Sequence, residues 1–515
     1  MKKQLLITAV TLLSMLVRGQ EDVQPVITRG RLELNFAQSL WFNSSNAAGM
    51  ALNPLRNYNI LSAQYENASG EYKLQQEGDK NRNVNFNTHG ALQIDKLFLW
   101  GDFRFSDNYV TGATYNTNRY EPSADMPYYV ADPNKSDWKR QYYDMTQKAA
   151  LPLWRERWTA GLEVHYTTRR AAKQLDPRST VNSYSIEVQP SAVVRLAPNR
   201  HIGFSLRYRN AFERNNFTNS LSYHSEQVYI MKGLGNYATG VVGGTGGIGV
   251  FYYPGNLYGG GLQYGASANR DALLLDVTGV KRKTEAFENP AKPQRRGTAD
   301  NTTLQGTLQL IRSGIMTHKM TVRAALSTTD GVEYVQEYDN RYEVNRWITI
   351  AQYVKSRYRS LQASLKYDLF VGTQYDYSWK AGLKTHYIDR QDEYLSPRST
   401  FNVQNNYTEL SAVKSLNAGA SSKILAGLNL GYNLNLGGEY LYGGTETDAP
   451  PVTDFYPRDL ACLTANYWSA GCELTWSYTL KARSSIHLNL SGQWQNPDNL
   501  SSGRSLIKAG ASYIF

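Results

Sequence analysis

Two stretches of twelve residues, set 221 positions apart, agree at seven positions. The first runs Trp158-Thr-Ala-Gly-Leu-Glu-Val-His165-Tyr-Thr-Thr-Arg169. The second runs Trp379-Lys-Ala-Gly-Leu-Lys-Thr-His386-Tyr-Ile-Asp-Arg390. In an extended chain, residues four apart share a face, so each stretch sets an imidazole beside a guanidinium. Arginine offers a rigid fork of donors that matches a carboxylate or phosphate, and such a pair is a candidate site for an anionic solute. The alternative is convergent strand design, with Trp and Tyr at the two interfaces and polar filler between. The same chemistry is available at Arg207, Arg209, Arg323 and Lys384. The solute-binding candidates are therefore His165, Arg169, Arg207, Arg209, Arg323, Lys384, His386 and Arg390. With Arg207, Arg209, Arg323 and Lys384, the further inward-facing cations Arg195, Lys319, Lys366, Lys380 and Lys508 make nine, against the five inward acids Asp102, Glu163, Glu187, Asp276 and Asp368. Charged rings set the ion preference of a pore, so a mild preference for anions is expected.

Catalytic arrangements are not evident. Seven histidines are present, yet no Gly-x-Ser-x-Gly elbow lies beside a base and no His/Cys group has metal-ligand spacing. The expectation is no enzyme, no catalytic residue, no metal and no cofactor. Gly243-Gly-Thr-Gly-Gly lacks the strand-to-helix context and the following Lys-Ser/Thr of a phosphate loop. The wider glycine-rich stretch, 233–265, suits a constriction folded into a lumen or a flexible surface loop. Cys462 and Cys472 are expected to be free thiols, in a loop or on the lipid side.

These residues need a scaffold that points them inward, and the chain supplies strict alternation. Leu428, Leu430, Tyr432, Leu434 and Leu436 alternate with Asn429, Gly431, Asn433, Asn435 and Gly437. Similar phases run over Tyr184–Leu196, Ile486–Trp494 and Ile507–Phe515. Such segments exceed ordinary soluble strands and match the ~9–11 residues of a tilted spanning strand. Tyr occurs 38 times and Gly 41 times, and the mean hydropathy is that of a soluble chain. A transmembrane barrel reconciles these, because only every second residue meets lipid. Lys2, Lys3 and the apolar run Leu5–Val17 read as a secretory signal peptide over 1–20. The net charge of +11 falls to +8 once Lys2, Lys3 and Arg18 leave with it. For an exported chain this points to lipid phosphates or anionic solutes, with no role for nucleic acid. A terminal Phe515, with Tyr513 before it, resembles the signal read by the barrel-assembly machinery. The expected fold is all-β: a transmembrane, antiparallel, up-and-down barrel of about 16 strands (14–18), with short periplasmic turns and long extracellular loops at 110–139, 214–256 and 443–458. One downward strand is expected over 459–482, and a further pair near 57–66 and 82–94 would raise the count to eighteen.

Ahead of the barrel, Asn46-Ala-Ala-Gly49-Met50 resembles the Asn-Pro-Ala-Gly segment of the FadL family of fatty-acid and hydrocarbon transporters, without its central Pro. The resemblance implies that residues 21–56 form a short hatch inside the barrel, with Asn46 and Gly49 as its close-packing residues. A plain periplasmic turn is the alternative. As a whole the chain resembles uncharacterised outer-membrane porin-like barrels, which implies a fold and no function. A TonB-dependent receptor is disfavoured, since there is no room for a globular plug domain before the barrel at 57–515. The expected function is passive uptake of small solutes, anionic ones in particular, across the outer membrane of a Gram-negative cell. The alternatives are a non-conducting barrel serving a transport or secretion complex, and a FadL-like hydrophobic-ligand transporter. The expected partners are outer-membrane lipid and lipopolysaccharide, a small-molecule solute, and a surface lipoprotein or other complex subunit.

Overall fold

Alternation over so many segments leads to a sheet that closes on itself. The structure, a computed structural model, describes residues 28–52, 57–122, 126–154, 157–221, 223–244, 246–341, 346–373, 376–481, 484–499 and 502–515. The expected signal peptide lies outside the described residues. The strands are β1 (Tyr58–Gly70), β2 (Lys80–Ile94), β3 (Leu97–Ala113), β4 (Val130–Ala131), β5 (Ser136–Leu153), β6 (Trp158–Lys173) and β7 (Arg178–Ala197). They continue as β8 (Arg200–Thr218), β9 (Glu226–Gly233), β10 (Asn236–Val242), β11 (Val250–Ala268), β12 (Asp271–Glu288), β13 (Gln294–Arg312) and β14 (Met316–Asp339). The last are β15 (Arg346–Gly372), β16 (Tyr377–Leu395), β17 (Arg398–Asn417), β18 (Ser422–Leu441), β19 (Tyr467–Lys481), β20 (Ser484–Pro497) and β21 (Arg504–Ile514).

Eighteen of these form one sheet, while β4, β9 and β10 form a separate three-stranded one. Each wall strand pairs antiparallel with the next wall strand in the chain. The seam is β1 against β21, from Ile60 opposite Ile514 to Gly70 opposite Arg504. The expected count of about sixteen is therefore corrected to eighteen. The added pair is β1 and β2, whose inner face is Ser62, Gln64, Asn83, Asn85 and Asn87. So polar a face, opposite only Leu61, Tyr65, Val84 and Phe86, makes a weak hydropathy signal. A second correction concerns 459–482. Its first part is a helix, α2 (Tyr456–Leu463), with a proline in its first turn, and β19 starts only at Tyr467. Proline is tolerated at a helix start, and Leu460 and Leu463 turn towards Phe401 and Tyr440 of the wall.

The outer surface is apolar. Leu206, Leu262, Leu410, Leu428 and Leu430 are 61–68% exposed, a face suited to hydrocarbon and costly in water. Two-residue turns such as Asp95-Lys96 and Asn269-Arg270 lie at the end that holds both termini of the barrel. The connections 114–135, 219–249 and 442–466 lie at the other. On that side β14 and β15 outrun their neighbours: pairing with β13 stops at Val332 and pairing with β16 stops at Ser356. Beyond those points 333–339 and 346–354 pair with each other, exposing Val335, Ile350 and Tyr353.

Cys472 tests the strand phase. It sits in an outward row between Leu428 and Gly492 and is exposed, whereas Cys462 is buried in α2. A membrane-partitioning maleimide is expected to modify Cys472 in native protein and Cys462 only after unfolding, as read by mass spectrometry. The opposite order would place β19 out of phase by one residue.

Candidate functional site

The amino-terminal segment enters the lumen at the short-turn end. Helix α1 (Arg29–Gln38) is capped by Thr28, whose side chain accepts a hydrogen bond from Arg31 N. Its apolar side is divided between two parts of the wall. Leu32 meets Tyr58, Ile60 and Ile514, and Leu34 and Ala37 meet Phe370, Tyr377, Val413 and Leu425. Its charged side carries Glu33, which accepts from Tyr377 Oη at 2.7 Å and forms an ion pair with Lys380. Burial pushes the Glu33 carboxyl up, but Lys380 and Tyr377 outweigh it and hold the group below the usual carboxylate range. Two 3-10 turns follow, Trp41–Asn43 and Ala47–Leu52.

Asn46 is fully buried. Its amide nitrogen lies 2.8 Å from Gln263 Oε1, and 3.1 and 3.2 Å from the carbonyl oxygens of Ala192 and Phe204. Its own oxygen accepts from Ala48 N at 3.0 Å. Ser45 donates through its backbone N and its hydroxyl to Asp276 at 2.7 and 2.9 Å. A Cβ on Gly49 would stand 2.6 Å from Trp41, and one on Gly161 would stand 2.2 Å from Ala48 N. Asn46 and Gly49 thus pack among inward-facing residues of the wall and of the segment itself.

The other mouth is occupied by loops. The β4–β9–β10 sheet buries Val130, Val228, Ile230 and Val242 against Phe251, Tyr253, Ala286 and Ala299 of the wall. The turn Gly233-Leu234-Gly235 has φ of 109°, 50° and 85°, the left-handed region that glycine tolerates. It drives Leu234 to full burial beside Tyr394, Phe401 and Val403. Part of the glycine-rich stretch therefore folds into the mouth, while Gly259–Gly261 belongs to wall strand β11. Asp132 and Lys173 form a 3.1 Å ion pair with both side chains 1% exposed. On α2, Tyr456 stacks on Tyr440, and Asp459 accepts from Gln75 N at 2.9 Å. Burial pushes the Asp459 carboxyl up to about 7.

Between these two fillings the wall is polar, and it divides by charge. Around β3–β8 the acids are matched: Arg104 to Asp102 at 2.9 Å, His165 to Asp144 at 2.7 Å, and Lys148 to Glu163 at 3.0 Å. Arg207 and Arg209 both hold Glu187 at 2.6 Å. Arg169 lies 3.8 Å from Glu121 and over the rings of Tyr120 and Tyr142. Arg390 is paired with Asp392 and lies over Phe401. Strands β6 and β16 are eight strands apart in the order of eighteen, so the two His/Arg pairs do face each other. Even so, the barrel does not offer them as two matched anion sites. His165, Arg169, Arg207, Arg209 and Arg390 are all engaged by carboxylates of the chain.

The opposite condition holds on β14–β16. Arg323 and Lys384 are exposed to the lumen, and neither has an ion-pair partner within 4.0 Å among the described residues. Lys366 is the register partner of Lys384, and its one carboxylate is Asp368 at 3.1 Å. Lys319 stands opposite Asp368 in register. His386, one inward position along from Lys384, stands opposite Ser364. Five cations of this wall (Lys319, Arg323, Lys366, Lys380, Lys384) thus meet four carboxylates: Asp368 of the wall, Glu33 of the plug, and Glu409 and Glu473 of the strands beyond. Among the described residues no cluster of three or more side chains could hold a metal ion. The plug residues Glu33 and Trp41 and the loop residue Leu234 escape sequence reasoning. The signal available for the first was the helix itself, with Thr28 as its cap and Leu32, Leu34 and Ala37 as its apolar positions.

Residues 47–515 match the family of unknown function DUF6850, and the chain belongs to that family. No curated protein matches the sequence. Among solved structures it is similar to BauA, the ferric preacinetobactin receptor of Acinetobacter baumannii, at 10% identity and a TM-score of 0.43, over 89% of this chain and 81% of that one. It is also similar to Pseudomonas aeruginosa OpdK with vanillate, at 10% identity and 0.37, over 89% and 98%. The outer membrane transporter YddB of Escherichia coli is similar at 8% identity and 0.40, over 90% and 81%.

The geometry makes two predictions. Replacing Asn46 by Ala leaves Gln263 and two strand carbonyls without a donor, a loss of about 1–3 kcal/mol. Amide exchange over 41–52 should rise about tenfold or more while the wall strands are unchanged; equal exchange would remove Asn46 from its anchoring role. The second concerns pH. Asp459 titrates higher in the fold than its ordinary 3.8, so its contribution to loop docking is full below that value and is lost as pH rises through about 7. Proteolysis within 442–466 should be faster at pH 8.5 than at pH 5.5, and Asp459→Asn should flatten that difference.

Proposed function

We propose that this member of the DUF6850 family is a gated transporter of the Gram-negative outer membrane that passes a small anionic solute through its lumen. One observation carries the reading: an inner wall whose cations exceed its carboxylates, enclosed between two fillings made from the chain itself. Uncompensated cations in a confined polar space repel one another, and a bound anion relieves that repulsion. A resting pore open to ions, as simple passive uptake requires, fits poorly with a plug at one end and a folded sheet at the other. Gated passage fits better, with the plug undocking before the solute crosses. Arg323, Lys384 and His386 are the residues expected to meet the solute, joined by Lys366. The FadL-like hydrophobic-ligand reading finds no support in these walls, which are lined by amides, hydroxyls and charges.

A second reading is a barrel that conducts nothing and presents a surface to a lipoprotein or another subunit. The projecting β14–β15 ribbon, with Val335, Ile350 and Tyr353 exposed, favours it. Planar-bilayer recording separates the two. The full chain should be silent or flicker rarely, and a variant lacking 28–52 should conduct with an anion-biased reversal potential. In that variant Arg323→Gln with Lys384→Gln should move the reversal potential towards zero by more than half. A silent deletion variant that still shows heat-modifiable migration would overturn the transporter reading in favour of the scaffold.

A further inference from the structure

We infer that an anion arriving on the β14–β16 wall takes Lys380 away from Glu33 and so undocks α1, making the solute the trigger of its own gate. The inference rests on the anion-transporter reading above and adds the coupling between site and plug.

Lys366 and Lys384 are direct cross-strand partners, and like charges so placed repel. Lys366 offsets this by leaning on Asp368 at 3.1 Å. The same carboxylate lies 3.8 Å from Lys380 Nζ, so Asp368 is shared between a lumen lysine and the lysine that holds the plug. Lys380 is 15% exposed, and its plug partner Glu33 is 36% exposed, so the contact opens onto the chamber. An anion bridging Lys366 and Lys384 supplies the missing negative charge and frees Asp368 from Lys366. Asp368 then competes with Glu33 for Lys380, and Glu33 is left with the Tyr377 hydroxyl, at 2.7 Å, and the charge of Arg29 on its own helix. No covalent bond forms or breaks; two ion pairs, Lys366–Asp368 and Lys380–Glu33, are given up, while Asp368–Lys380 tightens and the anion takes Lys366 and Lys384. The anion shifts the plug because it binds the undocked arrangement, in which Asp368 has turned to Lys380, more tightly than the docked one.

The anchors differ across the lumen, which gives the release a direction. Asn46 and Ser45 are held on β7, β8, β11 and β12 through Gln263, Asp276 and strand carbonyls, none of which belongs to the basic wall. Undocking therefore begins at 29–38 and leaves 45–50 in place.

Hydrogen–deuterium exchange on the full-length barrel tests this, with 10 mM succinate or inorganic phosphate as probe and chloride at equal ionic strength as control. Calorimetry is run in parallel to report binding. Either probe is expected to speed exchange over 29–38 about tenfold, with 45–50 and the wall strands unchanged. Lys366→Gln with Lys384→Gln should abolish both the heat and the acceleration. Lys380→Gln should exchange rapidly at 29–38 without any probe while still binding it. Binding with no change at 29–38 would overturn the coupling and leave the anion site standing. No binding of either probe would overturn both the coupling and the anion reading. Fast exchange at 45–50 together with 29–38 would overturn the stepwise release.

Discussion

Every backbone N–H and C=O inside a bilayer must find its partner within the protein, because hydrocarbon offers none. For a sheet this demands closure, and the seam between β1 and β21 provides it. Much else follows. An antiparallel barrel with both termini at one end has an even number of strands, so its long connections gather at the other end. Outward positions are apolar by necessity, which hands all remaining chemistry to the inward ones. With eighteen strands the lumen is too wide for wall side chains to fill, so the interior has to be occupied by water, by ligand or by other parts of the chain.

This protein uses its own chain at both ends, with a different balance of contacts. The amino-terminal plug buries Leu32, Leu34, Ala37 and Leu40 against the wall and adds a set of polar anchors. A buried asparagine links its own turn to three strands, Ser45 meets Asp276 through both its backbone N and its hydroxyl, and Glu33 meets Lys380. The loop filling at the other mouth is held by stacked tyrosines and aliphatic burial, with one sequestered Lys–Asp pair. Polar contacts exchange with water and ions at little net cost, whereas apolar burial is lost all at once. The plug is the end whose polar anchors suit a response to a charged molecule.

The phases of the wall were readable in the sequence because a two-residue period leaves no ambiguity where one face must be apolar. Leu428–Leu436 and Ile486–Trp494 face lipid as their alternation requires, and Asp102, Glu187, Asp276 and Asp368 face inward. The reading weakened wherever both faces of an element are enclosed. In β9, Val228, Ile230 and Met231 are buried inside the mouth, so the apolar pattern carried no lipid period, and the segment read as a glycine-rich loop. In β1 and β2 an amide-lined inner face diluted the signal until the pair looked optional. The candidate site was half readable. Which arginines point inward follows from phase. Which of them are neutralised depends on cross-strand and diagonal neighbours such as Glu187 and Asp392, and those come from register, which a single sequence does not reveal.

Leu32 of the plug belongs to one buried cluster with Tyr58 and Ile60 of the first strand and Ile514 of the last. That cluster spans both sides of the seam. Those two strands lie at opposite ends of the chain and must meet late in assembly, after a large loss of loop entropy. A helix already sitting across the gap lowers the cost of that meeting by giving both edges a common apolar surface. The segment that restrains the finished pore would in that case also act during folding as the clasp on which the cylinder is shut. Gate and seam would then mature together, which couples the timing of closure to the loading of the plug.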